Sequence, residues 1–328
     1  MPIGHAPHGF SVYGVPIMPG GGGARFAGWW GTSYFVDYDH GNDGNTGLEP
    51  TDAYLNLQTA ITAASGNGDV IYIRNRDQDT ATTDPEFIIP ASTTNWSVAQ
   101  AKVHLSIIGA ANTSHIPCQE AGLAVYLRGH ATANTTAIMD WQGAFGLIEN
   151  LAFHRGASTA GGLLALTGNS TSLRALGTVV NNCLFRLSNH AVGALYNVDN
   201  WFVTVYNCIF HDCKFGVEFH GSSSTIRRSA IVGCTFRNQT AASVDTNILI
   251  NGSSTQDVTV RDCIFTCQLG TGGTNKYINF TAAATGAIYN CSFPTDVTLG
   301  TQVRGNSAAT VGSWEATSAT AGLLAGTS

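Results

Sequence analysis

Charged side chains are scarce in this sequence. Only 11% of its 328 residues are Asp, Glu, Lys or Arg, against roughly 25% in an average globular domain. Lysine occurs three times, the twelve arginines are scattered singly or in pairs, and the formal net charge is −6. Electrostatic binding of nucleic acid requires a basic surface, so the composition argues against a nucleic-acid partner.

Long apolar runs are also missing. No stretch approaches the roughly 18 to 20 apolar residues that a membrane-spanning helix needs. The first nine residues, Met1 to Gly9, lack both the cationic region and the apolar region of a secretory signal. The sequence therefore predicts a soluble chain that is made in a cytoplasm, with no membrane partner.

Strong helix formers are few, whereas glycine is abundant at 38 residues. With so few charges, Ser, Thr, Asn and Gly must form most of the polar surface. Such a composition suits short strands and tight turns better than helices. We therefore expect an all-β protein.

The eight cysteines are too few for a scaffold built from disulfides, but their spacing is informative. Five of them begin a phrase of the form Asn-Cys-x-Phe, in which Asp or Gly can replace Asn, and a sixth copy has Leu in place of Cys. The copies are Asn150-Leu151-Ala152-Phe153, Asn182-Cys183-Leu184-Phe185, Asn207-Cys208-Ile209-Phe210, Gly233-Cys234-Thr235-Phe236, Asp262-Cys263-Ile264-Phe265 and Asn290-Cys291-Ser292-Phe293. Successive phenylalanines are 32, 25, 26, 29 and 28 residues apart. A repeat of this length indicates a solenoid.

Alternation with period two identifies the solenoid as β. Val203–Tyr206 before one Asn-Cys phrase and Gly216–His220 after it both alternate in this way. Several short strands per repeat, with no helical heptad between them, predict a right-handed parallel β-helix of eight or nine coils. Inward residues then stack, so the cysteines form one interior column and the phenylalanines a second.

Three roles are open for the stacked cysteines. As small buried hydrophobic residues they fill the interior. Metal ligation would require convergent side chains, and disulfides between coils cannot pair all five. The Asn or Asp before each cysteine is expected in a sharp turn, with its side chain bonded to backbone amides of neighbouring coils.

Four regions follow from these patterns. Residues 1–33 form a Gly/Pro-rich apolar arm, residues 34–65 an entry module with a short capping helix, residues 66–298 the β-helix, and residues 299–328 a small-residue C-terminal tail. In the entry module Leu57, Ala60, Ile61 and Ala64 share one helical face, and Thr51 is the expected N-cap. The helix would cover the strand edges of the first coil.

The entry module resembles a known family. The segments are Phe35-Val36-Asp37-Tyr38-Asp39-His40-Gly41-Asn42-Asp43-Gly44-Asn45-Thr46-Gly47, Ala53 to Ile61, and Gly68 to Ile71. They are similar to the opening of pectate-lyase-like right-handed parallel β-helix proteins, and similar openings occur in bacteriophage structural proteins. The resemblance covers roughly residues 34–298 and implies the fold. It does not specify an activity, because the group includes lyases, hydrolases, adhesins and inert virion parts.

Glu218 is the main candidate for a catalytic acid. If Val217 and Phe219 point inward, Glu218 and His220 point outward, above Ala194 and Tyr196 and below Leu249 and Asn251. A glycosidase needs two acids about 5 to 10 Å apart, and Glu218 has no carboxylate partner in this predicted column. We therefore expect Glu218 and His220, with Asp212 and Lys214 on the same coil, to lie on a solvated face without catalytic residues.

Calcium is the one metal that the sequence suggests. Asp37, Asp39, Asp43 and Asn45 offer oxygen atoms at alternating positions. The run lacks the bidentate Glu of a calcium loop, and such strings are typical of tight turns. We therefore predict no metal site and no cofactor.

These points favour a non-enzymatic virion structural protein of a bacteriophage, most simply a capsid decoration or cement protein. Its partner would be a major capsid or tail protein, bound through Ile17, Met18, Phe26, Trp29 and Trp30 of the arm. A homo-oligomer such as a trimer is expected, and a host surface glycan is a further candidate partner. The alternative is a carbohydrate-binding or polysaccharide-degrading β-helix of the tailspike kind.

Overall fold

The structure is a computed structural model. It describes residues 11–12, 15–16, 31–74, 86–88, 95–110, 125–129, 137–154, 162–168, 175–186, 192–221, 226–237, 246–251, 255–266, 276–281, 284–294, 303–305 and 311–312. Strands are numbered along the chain, and the described part of the chain is a right-handed parallel β-helix with three long sheets.

The first sheet has ten strands, which follow one another in chain order: β3 (Ser33–Val36), β4 (Val70–Arg74), β7 (Ser106–Ala110), β10 (Leu147–Glu149), β13 (Val179–Asn181), β16 (Thr204–Tyr206), β20 (Ala230–Val232), β24 (Val258–Arg261), β27 (Gly286–Tyr289) and β29 (Val311–Gly312). The second has seven: β5 (Glu86–Ile88), β8 (Val125–Arg128), β11 (Leu151–His154), β14 (Leu184–Arg186), β17 (Ile209–His211), β21 (Thr235–Arg237) and β25 (Ile264–Phe265).

The third sheet has eight strands: β6 (Trp96–Val98), β9 (Met139–Trp141), β12 (Leu164–Thr167), β15 (Leu195–Val198), β18 (Phe215–His220), β22 (Thr246–Asn251), β26 (Lys276–Phe280) and β28 (Val303–Gly305). Two short pairs complete the described strands: the antiparallel β1 (Ser11–Val12) and β2 (Val15–Pro16), and the parallel β19 (Ile226–Arg227) and β23 (Thr255–Gln256).

One strand from each long sheet makes one coil. Seven complete coils are described, from β4–β6 to β24–β26. An eighth consists of β27, a single bridge at Ser292 and β28. The described strands thus form seven complete coils and part of an eighth, against the eight or nine predicted from the repeat.

The predicted interior columns are present. The rings of Phe153, Phe185, Phe210, Phe236, Phe265 and Phe293 stack in series, with centroids 4.8 to 5.1 Å apart and planes within 9°. Beside them stand the five repeat cysteines, all fully buried. All six cysteines in the described ranges are free thiols, so the interpretation as small buried hydrophobic residues holds for the column.

The first residue of each repeat phrase turns the chain through a left-handed conformation. Asn150, Asn182, Asn207, Asp262 and Asn290 have φ between 50° and 57°, and Gly233 has φ 63°. Their side chains, however, bond to one another rather than to the predicted backbone amides. The amide of Asn207 donates to Asn182 over 3.1 Å, and those of Asn182 and Asn290 donate to Asn150 and Asp262. The sharp turn is confirmed, and the predicted hydrogen-bond partner is wrong because equivalent side chains stack directly.

The capping helix is α1 (Leu57–Ala63), whose buried face carries Leu57, Ala60 and Ile61. It contacts β3, β4 and β6 at the first coil. Asn56, not the predicted Thr51, occupies the N-cap position, without a capping hydrogen bond from its side chain. Thr51 belongs instead to a separate 3-10 helix, Pro50–Asp52, because Pro50 begins that turn.

Candidate functional site

The outer face of the third sheet carries the predicted candidate acid. Val217 and Phe219 are fully buried in the interior, so Glu218 and His220 point outward as predicted. Their neighbours in the next coil are Leu249 and Asn251, also as predicted.

The predicted neighbours in the preceding coil are wrong by two residues, because Tyr196 and Val198, rather than Ala194 and Tyr196, pair with Glu218 and His220. The reason is the length of the corner between the second and third sheets. Eight positions separate β14 from β15 along the chain, but only three separate β17 from β18.

Glu218 is not on a solvated face, which corrects the sequence prediction. Only 7% of its side chain is exposed. Its Oε2 accepts a hydrogen bond from the backbone amide of Gly193 over 3.1 Å. A Cβ atom at Gly193 would lie 2.8 Å from Cβ of Glu218, so the close approach depends on glycine. Burial raises the pKa of Glu218 despite this hydrogen bond and the proximity of His220.

His220 links Glu218 to the next coil. Its Nδ1 lies 3.3 Å from Oε1 of Glu218 and 3.2 Å from Nδ2 of Asn251. A protonated Nδ1 donates to Glu218, whereas a deprotonated Nδ1 accepts from Asn251. The His220 side chain is 30% exposed, so it is more open to solvent than that of Glu218.

Tyr196 completes the cluster; the sequence prediction placed it below His220, whereas the register places it below Glu218. Its ring lies 5.9 Å from that of His220. Burial, followed by the charges of Glu218 and Asp199, raises the pKa of Tyr196 to about 12. Tyr196 therefore stays protonated at neutral pH. Its distance from Glu218 along the chain hides the contact, and the correct coil register is the signal that would have found it.

A second carboxylate is distant within this outward column. Below Glu218 the register runs through Tyr196 and Ala165 to Asp140, three coils away. At about 4.8 Å per coil this separation is roughly 14 Å, beyond the 5 to 10 Å of a glycosidase pair. Asp199 is nearer in sequence to the cluster, but it is 1% exposed at a left-handed turn.

The two other members of the predicted charged group have different neighbours. Oδ2 of Asp212 lies 3.4 Å from Nε2 of His211 in the second sheet. The Lys214 ammonium lies over the ring of Phe215, 5.6 Å from its centre. Within the predicted four-residue group, Glu218 and His220 are in direct contact.

The Asp and Asn side chains of the entry module make hydrogen bonds within and between its turns. Oδ1 of Asp37 accepts from the amides of Asp39 and His40, and its Oδ2 accepts from Arg74 over 2.7 Å. Burial alone would raise the pKa of Asp37, but the hydrogen bonds from Arg74 and the two amides outweigh it and lower the pKa. Asn45 donates to the carbonyl of Ala53. Within the described ranges no group of three or more His, Cys, Asp or Glu side chains converges as a metal site would require.

The predicted attachment residues Ile17, Met18, Phe26, Trp29 and Trp30 lie outside the described residues. Among the residues that the structure describes, no helix has the length and apolar character needed to cross a membrane.

The chain matches no protein-family model and no curated protein sequence. Solved structures do resemble it. Pectin methylesterase from Aspergillus niger is 8% identical, with a TM-score of 0.50 over 88% of this chain and 85% of that one. Pectin methylesterase from carrot is 13% identical, with a TM-score of 0.49 over 89% and 84%. The ORF18 protein of Geobacillus virus E2 is 13% identical, with a TM-score of 0.43 over 86% and 60%.

Proposed function

We propose that this right-handed parallel β-helix is a non-enzymatic structural protein of a bacteriophage particle, a decoration or cement subunit of the capsid or a subunit that decorates the tail. In this role the arm of residues 1–33 attaches the rod to a major capsid or tail protein, and the rod assembles as a homo-oligomer.

The environment of Glu218 supports the proposal that the protein is not an enzyme. A glycan-cleaving pair needs one protonated acid and a second, ionised carboxylate that can reach the bond or a water molecule. Glu218 could be the protonated partner, since burial raises its pKa. In the outward column of Glu218, however, the next carboxylate is that of Asp140, three coils away. Its oxygens accept hydrogen bonds from Thr167 and Gln142.

The composition of the arm supports the proposal that it attaches the rod to a capsid or tail protein. Ordering a chain that contains Gly20 to Gly23 costs on the order of 1 to 2 kcal/mol per residue. Burial of Phe26, Trp29 and Trp30 on a partner offsets this cost, because each aromatic side chain covers about 150 to 250 Å². The resemblance of the entry module to phage structural proteins points to a virion shell as that partner.

Deletion of residues 1–30 tests the attachment. We expect the truncated protein to keep the circular dichroism of the β-helix but to lose co-sedimentation with particles that lack the subunit. The full-length Trp29→Ser, Trp30→Ser variant is the matched control, because it keeps the length of the arm and removes its two tryptophans. Wild-type occupancy by the truncated protein would place attachment elsewhere.

A glycan-degrading β-helix is the second candidate, favoured by the raised pKa of Glu218 beside the half-exposed His220. It predicts release of reducing ends or unsaturated sugars from a host polysaccharide, lost in Glu218→Gln. We expect no release by the wild-type protein.

A further inference from the structure

A second column of left-handed residues lies at the corner between the third sheet and the first. The register of the first sheet places one residue per coil at this position: Gly68, His104, Phe145, Gly177, Phe202, Arg228 and Asp257. All seven have positive φ, between 49° and 95°. The amides of Gly177 and Phe202 donate to the carbonyls of Trp201 and Arg227 in the next coil, each over 2.9 Å, so the backbone stacks directly here. We call these seven residues the corner ridge.

The residue types of the corner ridge are unusual for its backbone. The six left-handed positions that begin the repeat phrases hold Asn, Asp or Gly, which tolerate positive φ best. The corner ridge instead holds two phenylalanines, a histidine and an arginine at four of its seven positions. Phe145 and Phe202 are moreover 50% and 43% exposed. Backbone strain combined with exposed aromatic area is unfavourable in an isolated chain and is typical of a contact surface.

The aromatic side chains occupy the middle of the corner ridge. The ring of His104 stacks on that of Phe145, with centroids 5.2 Å apart and planes within 15°. A Cβ atom at Gly177 would lie 2.6 Å from Cδ1 of Phe145, so the Phe145 ring extends over this glycine. Trp201 lies edge-on to Phe202, at a centroid distance of 6.4 Å. The surface therefore has a step at Gly177, between two exposed rings.

The titratable side chains lie at the two ends. His104 is at one end, Arg228 and Asp257 are at the other, and all three are exposed. The distance from His104 to Asp257 is five coil steps, or roughly 24 Å. The outward row of the first sheet beside the corner ridge is uncharged, and it consists of Val179, Thr204, Ala230, Thr259 and Ala287. A partner thus meets an apolar centre with a different charge at each end.

We propose that the corner ridge binds the corner ridge of a second copy of this chain, with the two rods antiparallel. A two-fold axis midway between Gly177 and Phe202 makes the surface complementary to itself, as a two-fold interface requires. Contacts between the two copies are then Phe202 with Gly177, Phe145 with Arg228, and His104 with Asp257. They join a protruding ring to a step in the surface, a cation to an aromatic ring, and a basic group to an acidic one.

Other arrangements bring like charges together. If the rods were parallel around an axis at the corner ridge, as in a trimer, Arg228 would face Arg228 and Asp257 would face Asp257. In an antiparallel pair whose axis passes through Gly177, His104 would face Arg228. Such contacts between like charges disfavour an interface. The charges of the corner ridge therefore select the antiparallel pair with its axis between Gly177 and Phe202.

The size of the contact sets the expected strength. A strip along eight coils, about 34 Å long and about 15 Å wide, buries roughly 500 Å² per copy. The total is near the lower limit of about 1,000 Å² for a specific interface, so we expect a dimer that dissociates in the micromolar range. This inference rests on the homo-oligomer of the proposed function. It does not involve the arm or a capsid or tail protein.

Equilibrium sedimentation of the purified full-length protein, from about 1 to 200 µM, tests the proposal. We expect the mass to rise from the 34.4 kDa of one chain to twice that value. Phe202→Asn keeps a residue that tolerates positive φ but removes the ring, and it should weaken dimerisation at least tenfold. Ile264→Thr, on the second sheet at a side chain 47% exposed, is the matched control and should dimerise as the wild type does.

A charge swap tests the antiparallel register. His104→Asp places two carboxylates opposite each other at both ends of the dimer, which should weaken dimerisation about tenfold. The double variant His104→Asp, Asp257→Lys restores opposite charges across the interface and should dimerise about as well as the wild type. A double variant that dimerises no better than His104→Asp would overturn the register.

Three further outcomes would overturn the proposal: a monomer at all concentrations, a trimer, or a dimer that deletion of residues 1–30 abolishes. The last would assign dimerisation to the arm. Circular dichroism and the melting temperature check that the variants are folded, and the charge swap decides should Phe202→Asn misfold. Because sedimentation uses no particles, failure to dimerise is distinguishable from failure of the arm to attach.

Discussion

Nδ2 of Asn207 donates to Oδ1 of Asn182 over 3.1 Å, and both residues hold a left-handed backbone, with φ of 50° and 52°. One residue type thus serves two purposes at the same turn. Asn tolerates positive φ better than other residues with a side chain, and its amide can donate to one neighbour while its carbonyl accepts from the other. The turn and the contact between coils are therefore coupled.

Two substitutions at Asn207 separate these purposes. Asn207→Gly keeps the left-handed turn but loses the side-chain hydrogen bond to Asn182, at a cost of about 0.5 to 1.5 kcal/mol. Asn207→Ala loses both, so it should cost about 1 kcal/mol more than the Gly variant. Urea denaturation followed by circular dichroism measures the difference. Equal stability of the two variants would show that the turn contributes no strain.

The stack of phenylalanines should dominate the stability of the middle coils. Phe210 is 1% exposed, with its ring centre 4.8 Å from that of Phe185 and 4.9 Å from that of Phe236. Phe210→Ala leaves a cavity between two rings and should cost about 3 to 5 kcal/mol. Tyr206→Ala, at a side chain 44% exposed, is the control and should change the denaturation midpoint little.

Glu149 should make the stability depend on pH. Burial raises its pKa, although the hydrogen bond from Asn181 opposes the shift. The folded state therefore holds the proton over a pH range in which the unfolded state has lost it. This contribution to stability is fully present below the unfolded pKa and is lost as pH rises through the folded pKa.

Glu149→Gln removes that titration while keeping an oxygen acceptor for Asn181. We expect its melting temperature, relative to the wild type, to rise between pH 4 and pH 8. A constant difference across this range would mean that Glu149 titrates alike in the folded and unfolded states. Glu49→Gln, at an exposed side chain just before the 3-10 helix, serves as the control.

The cysteine column should be inert in the native protein. Burial and the neighbouring thiols raise the pKa of Cys208 and Cys234, and the thiolate is the reactive form. In a Cys118→Ser, Cys267→Ser background, a thiol reagent should modify the six remaining cysteines only after denaturant is added. Fast modification without denaturant would indicate that the coils open locally.

The interior of the rod could be predicted from the chain alone. The Asn-Cys-x-Phe phrase recurs once per coil, and a solenoid stacks equivalent positions, so a local pattern becomes a column without further information. The capping face of Leu57, Ala60 and Ile61 follows equally from helical periodicity. The outward direction of Glu218 follows from strand alternation next to Val217 and Phe219.

The tertiary structure decided which outward-facing residues are neighbours on the surface of the rod. Corner lengths differ between coils, so only the assembled register brings Tyr196 beside Glu218. Burial of Glu218 depends on how closely the backbone at Gly193 approaches, which no local pattern encodes. Interior positions are specified by the hydrophobic effect acting on each coil separately, whereas outward neighbours are set by the geometry between coils.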